Sequence, residues 1–160
     1  MRADGQDTKD GWCRGLLIWA KEGTKAGRYE SDLIKDMVEC AGVNIPWGDR
    51  GNFITVLLAY RPPRYPGGVA DNGYSNKFCN LLSSIKGQVV LCGDLNYSGI
   101  DWERLHGSTP AERNVLDAVQ NSFWTQYVDF PTHVGGAGRA GGRRVGMETY
   151  LTWLFLIALS

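Results

Sequence analysis

Asp94 and Asn96 are the residues of this 160-residue chain whose types and spacing could do chemistry together. They stand two apart, just after an apolar run of Val89, Val90, Leu91 and Cys92 that breaks at Gly93. A run without alternation suits a strand buried on both faces, and such a strand delivers polar residues at its own end. If extended backbone continues past Gly93, side chains 94 and 96 project to the same side, a carboxylate beside an amide. The carboxylate can orient a water and the amide can hold a phosphoryl oxygen. The same two residue types also serve turns, where they accept local backbone hydrogen bonds and tolerate unusual dihedrals.

The elements that must position this pair are legible on either side of it. Asn52 to Tyr60, NFITVLLAY, is rich in β-branched and aromatic residues and stops at Arg61, Pro62 and Pro63, so it is expected as a second central strand with Tyr60 at its end. Tyr74, Phe78, Leu81, Leu82 and Ile85 recur at three and four residues, which predicts a helix closing at Gly87 and leading into the Gln88 strand. Downstream, Thr109, Pro110 and Glu112 spell a helix start with a capping box, and loss of the Thr109 cap is expected to cost about 1 kcal/mol. Val115, Leu116, Val119 and Phe123 then line one face. GLLIWA, Gly15 to Ala20, suits a strand entering the sheet, and Gln126 to Phe130 a short strand before Pro131. Glu30 to Cys40 fits a helix or a strand equally. Helix followed by strand points to a layered α/β domain.

Composition bounds the rest. With 43% apolar and 11% aromatic residues the chain can build a core, which excludes a disordered tail as its main part. Seventeen basic residues balance seventeen acidic ones, so no global field announces nucleic acid. Cys13, Cys40, Cys79 and Cys92 are far apart, without a CxxC pair or zinc-finger histidines, as expected of reduced thiols inside a cell. The N-terminal MRADGQDTKDGW has no apolar core to make it a signal peptide, and it begins abruptly, as an internal piece would. Residues 1–14 are expected to be poorly ordered. From Val134 to Gly146 the chain turns glycine- and arginine-rich, which predicts a flexible basic segment, with Arg139, Arg143 and Arg144 solvated or weakly binding nucleic acid. LTWLFLIAL, Leu151 to Leu159, is shorter than the roughly 20 residues of a membrane span, and would be a buried strand or an anomaly.

Taken in order, LAYRPPR with Tyr60, VLCGDLN with Asp94 and Asn96, GIDW with Asp101 and Trp102, and QYVDFPTH to His133 resemble the endonuclease/exonuclease/phosphatase superfamily. The resemblance is closer to the endonuclease domain of LINE-type (non-LTR) retrotransposons and runs from about Gly11 to His133. It implies a four-layered α/β sandwich that cleaves phosphodiesters with Mg²⁺ or Mn²⁺, nicking DNA so that the parent element's reverse transcriptase can prime. That activity would place it in the nucleus, with no membrane partner. By the same resemblance Asp94 orients or deprotonates the attacking water, Asn96 holds the scissile phosphate and Tyr60 contacts it. Asp101 and Trp102 match the retrotransposon branch and are expected to be a turn acid and a packing ring. A phosphatase of the same superfamily is the rival enzyme reading.

The departures matter as much. Relatives open with a strand ending in Asn, carry a metal-binding Glu on the next strand and close on an Asp-His pair; these 160 residues match none of the three. His133 falls inside the PTH match, upstream of the closing pair, and His106 is expected in a loop. The implied fold is therefore a partial sandwich over residues 15–134, without its first strands or its last catalytic strand and loop, and without catalysis. Such a sheet would have unpaired edges and an uncovered apolar face. The tail over 135–160 has a specific explanation. A relative's GNLLDLALSNSP, read from the second nucleotide of suitable codons, gives ETYLTWLFLIAL, which is Glu148 to Leu159 here, so the tail is expected to be a frameshifted reading and an aggregation liability.

Overall fold

The computed structural model describes residues 2–4, 15–35, 37, 39–48, 51–62, 72–128, 133–134, 139–140, 143–144, 149–150 and 153–158. At its centre β4 (Cys40–Trp47) and β5 (Asn52–Tyr60) form an antiparallel hairpin, and β6 (Gln88–Asp94) runs parallel to β5. A parallel pair needs a crossover, and α2 (Asn72–Ser84) supplies it. The six-stranded mixed sheet has the order β3-β4-β5-β6-β14-β9, where β3 is Gly27–Arg28, β9 is Thr125–Gln126 and β14 is Trp153–Ala158. Both edge strands are two residues long, β3 pairing with Val43 and Asn44 of β4 and β9 with Leu156 and Ile157 of β14.

The expected strand over 52–60, the strand from Gln88 and the helix before it are all present. Along β5 and β6 burial alternates: Leu57, Ala59, Val89 and Leu91 are buried on the face toward the helices, while Val56, Leu58, Val90 and Cys92 are half-buried on the other. Tyr74, Phe78, Leu81 and Leu82 carry the α2 stripe into the core, where Val115, Leu116 and Val119 of α3 (Pro110–Asn121) meet it. The Trp124 indole N–H donates to the Leu82 carbonyl at 2.9 Å, so the end of α3 is tied to α2. Phe123, expected on the core face of α3, instead lies past the helix end with φ 57° and is 89% exposed. The turn after Asn121 rotates the chain by one position, so Trp124 takes the core place.

Other segments differ from expectation. The Glu30 to Cys40 stretch resolves into a single helical turn, α1 (Asp32–Lys35), with Ile34 and Met37 buried, before β4 begins at Cys40. Gly15–Leu17 is a strand, β2, but it pairs with β1 (Arg2–Asp4) outside the main sheet; β2 touches β4 and β5 and β1 touches β4. The strand expected over 126–130 is confined to Thr125–Gln126 among the described residues. His106 sits in β8 (His106–Gly107), paired with β7 (Ile100–Asp101), rather than in a loop.

At the C-terminal end the apolar run takes the strand alternative. Rather than hanging free, Trp153 to Ala158 inserts between β6 and β9, pairing Trp153 with Asp94 and Ala158 with Val89. A run of six residues that is apolar throughout fits an interior strand covered on two edges. The glycine- and arginine-rich segment is paired too: β11 (Arg139–Ala140) with β12 (Arg143–Arg144), and β10 (His133–Val134) with β13 (Thr149–Tyr150). These are two separate two-stranded pairs, outside the six-stranded sheet. Among the described residues no helix is long and apolar enough to cross a membrane.

Burial pushes the Cys40 thiol from 9.0 up to about 12, and raises Cys79 and Cys92 as well, with Asp117 adding to the effect at Cys79. An acid whose folded pKa is raised contributes stability that is intact below its unfolded pKa and lost as pH climbs to the folded one. Urea midpoints should therefore hold up to pH 9 and then fall between pH 9 and 12, by up to about 1.4 kcal/mol per pH unit for Cys40 alone. Cys40→Ala should flatten that fall; an unchanged slope would show that the thiol is not the cause.

Candidate functional site

Because β5 and β6 are parallel, their C-terminal ends arrive together, and Tyr60 and Asp94 are register partners on neighbouring strands. Both continue the half-buried series that faces away from the helices. The Arg61 N–H donates to the Asp94 carbonyl at 2.9 Å, extending the ladder one residue beyond the strands. On the other side of Asp94 stands Trp153 of β14 in register. Gly93 makes this approach possible: a Cβ there would fall on the Ala59 carbonyl oxygen.

Asn96 does not reach Asp94 by strand alternation. Its φ is 49°, so the extended backbone has ended and the chain has turned. The turn itself joins them: the Asn96 N–H donates to Asp94 Oδ1 at 3.3 Å, and Asn96 Nδ2 donates to the Arg61 carbonyl at 2.7 Å. The local turn chemistry open to these residue types is thus present, and it brings carboxylate and amide to one edge. Arg61 answers with Nη1, which donates to the carbonyls of Leu95 at 3.2 Å and Asn96 at 2.9 Å. Its guanidinium carbon lies 4.3 Å from the centre of the Tyr97 ring, and the Tyr97 hydroxyl shares a 2.8 Å hydrogen bond with buried Ser75 on α2. Phe78 stacks between Tyr97 and Tyr74, completing the floor.

Two residues here escaped the sequence reading. Arg61 looked only like the end of a strand before prolines, and its partners lie 34 and 35 positions away. Glu39 is 8% exposed with φ 58°, and its carbonyl accepts the Tyr60 N–H at 2.9 Å, so Glu39, Tyr60 and Asp94 lie in one row across the sheet. The helix-or-strand ambiguity of Glu30 to Cys40 hid it.

The loop after Asn96 is held from α3. Glu112 is 7% exposed; one oxygen accepts the Gly99 N–H at 2.8 Å and the other accepts the Thr109 N–H and hydroxyl at 2.9 Å each. The capping box is as expected, with the Thr109 hydroxyl in turn accepting the Glu112 N–H at 3.3 Å. Asp101 acts as a turn acid: its carboxylate accepts the Arg104 N–H at 2.9 Å and the Arg104 guanidinium at 3.1 Å, and these bonds, the backbone one foremost, lower its pKa. Trp102 packs against the core.

A magnesium-type cation wants near-octahedral oxygen ligation, commonly one or two carboxylates with water and substrate phosphate. Among the described residues no three His, Cys, Asp or Glu side chains gather to hold one. Asp94 Oδ1 is already engaged by the Asn96 N–H. No protein-family model matches this chain, and no curated protein matches it.

Proposed function

We propose that this chain carries the Tyr60, Asp94 and Asn96 part of a phosphodiesterase site of the retrotransposon-endonuclease type within a partial four-layered sandwich, and that these 160 residues by themselves do not turn over. The observation that carries the reading is the register pairing of Tyr60 with Asp94, with Asn96 turned back onto the same edge. A phenol, a carboxylate and an amide are there offered to one small polar ligand. In this reading the Asp94 carboxylate orients water, the second Asn96 amide N–H donates to a phosphoryl oxygen, and Tyr60 contacts the same phosphate. Mg²⁺ or Mn²⁺ would supply charge neutralisation and a more acidic water. Within these 160 residues nothing matches the opening Asn, the partner Glu or the closing Asp-His that the resemblance implies, which supports the lack of turnover by these residues alone. The frameshift reading of the tail belongs to the same proposal: a neighbouring reading frame of the coding nucleotides should spell LDLALSNSP and then an Asp-His pair.

Purified chain incubated with supercoiled plasmid and Mg²⁺ should give no nicked circles above buffer. Magnesium-dependent nicking that vanishes in Asp94→Ala would overturn the claim of inactivity, while phosphate release from an inositol phosphate with DNA left intact would favour the phosphatase. A second reading, weak non-catalytic nucleic-acid binding, draws on the β11–β12 pair, which sets Arg139 opposite Arg144 with Arg143 beside it. It requires salt-sensitive DNA binding that disappears when residues 135–146 are deleted.

A further inference from the structure

Asn96 holds a left-handed backbone conformation, φ 49°, which asparagine tolerates in turns, and its hydrogen-bond partners there come from Arg61. We infer that Arg61 is the positioning residue of the Asp94–Asn96 pair, locking Asn96 by a reciprocal clamp across the ends of β5 and β6. The inference rests on the reading above in taking that pair as the reacting one. Each partner grips the other's backbone: Arg61 Nη1 holds the Asn96 carbonyl and Asn96 Nδ2 holds the Arg61 carbonyl. The second Nη1 bond, to the Leu95 carbonyl, fixes the residue between Asp94 and Asn96. With two carbonyls of the turn held, the Asn96 N–H stays on Asp94 Oδ1.

The guanidinium is itself immobilised over the Tyr97 ring, whose residue is 2% exposed and anchored to Ser75, so the clamp is referred back to α2 and the core. An arginine over an aromatic face keeps its donors in plane while its charge is met by the ring. The consequence for the amide is specific. Asn96 Nδ2 has two hydrogens; one is committed to Arg61, so the rotamer is set and the other is presented in a fixed direction. Lysine cannot replace this, because an ammonium is a point donor on a flexible stem.

The test is amide NMR on the whole chain as wild type, Arg61→Lys and Arg61→Gln, with the Trp124 indole N–H, bonded to Leu82, as the marker of an intact core. In wild type one Asn96 side-chain N–H should exchange at least tenfold more slowly than those of solvent-exposed asparagines. Both variants should lose that protection while the Trp124 signal stays put, a signature that a merely stabilising role would not move. Protection retained in either variant with Trp124 unmoved overturns the inference. Should Arg61→Gln fail to fold, Arg61→Lys decides alone, and Asn96→Asp, which removes the donor from the other side, should release the Arg61 guanidinium N–H signals; their retention also overturns it. Titration with the phosphodiester dTpdT separates the two readings: affinity about tenfold weaker in the folded variants supports both. Loss of protection without any dTpdT binding in wild type leaves the clamp standing and removes the phosphodiesterase reading.

Discussion

Replacing Gly93 by alanine should destabilise the domain by more than about 4 kcal/mol, a large share of the stability such a domain has at 25 °C. At φ 157° a Cβ on residue 93 would overlap the Ala59 carbonyl oxygen and lie 2.8 Å from its carbonyl carbon and 3.1 Å from its nitrogen. These are backbone atoms of the paired strand, so no rotamer change relieves the clash; β5 and β6 must part at the rung just before Tyr60 and Asp94. Gly42 is the control. A Cβ there meets Leu57 Cδ2 at 2.7 Å and the Tyr29 side chain at 3.0 Å, groups that can shift, so Gly42→Ala should cost about 1–3 kcal/mol as ordinary overpacking does. Urea unfolding followed by tryptophan fluorescence compares the two. A Gly93→Ala protein within about 1 kcal/mol of wild type would show that β5 and β6 do not approach as described.

Glu112→Ala should cost about 3 kcal/mol, roughly three times the loss from Thr109→Ala. Thr109 supplies a cap to one N–H of α3, and a helix that buries Val115, Leu116 and Val119 tolerates a frayed end. Glu112 does more: its carboxylate holds both the Thr109 N–H and the Gly99 N–H, so truncation strands two partly buried donors on two different segments. Gly99 itself is fitted to that carboxylate, a Cβ there lying 2.5 Å from Oε2. Glu112→Gln keeps an acceptor but forces an NH₂ toward one donor, and should fall between the two. Hydrogen exchange at the Gly99 amide locates the effect: Glu112→Ala should expose it while Thr109→Ala leaves it protected. Equal losses for the two variants would reduce Glu112 to a plain cap.

What could be seen in the linear chain were features whose partners are near in sequence. The capping box depends on residues three apart, the α2 stripe on residues three and four apart, and the 52–60 and 88–94 strands on local composition; all four appear where expected. Tyr60, Asp94 and Asn96 were marked by type and position at strand ends, and the parallel register places the first two side by side. Their geometry was not legible. Strand alternation and a turn were both open for Asn96 after Asp94, and a left-handed turn is what forms. That turn is stabilised by Arg61, which a reading of neighbours within four positions cannot find. Similarly, β4 carries Gly42 and Pro46 inside it, residues that depress strand propensity, and it forms because β5 pairs along its whole length.

The same division explains the ends of the chain. An apolar run after a glycine-rich stretch says only that it must be covered; whether it lies loose or enters a sheet depends on an open edge elsewhere. Here the edge of β6 opposite β5 takes a strand of matching length, so Trp153 to Ala158 pairs with it as the next strand of the sheet. Local sequence by itself determined the α3 start, the α2 stripe, the two principal strands and the residue types delivered to their tips. Tertiary structure alone decided the seat of β14 beside β6, the Arg61–Asn96 clamp and the grip of Glu112 on Gly99, because each is a pairing between segments 13 to 69 positions apart, chosen by which edges and carbonyls remain unsatisfied once the local elements have formed.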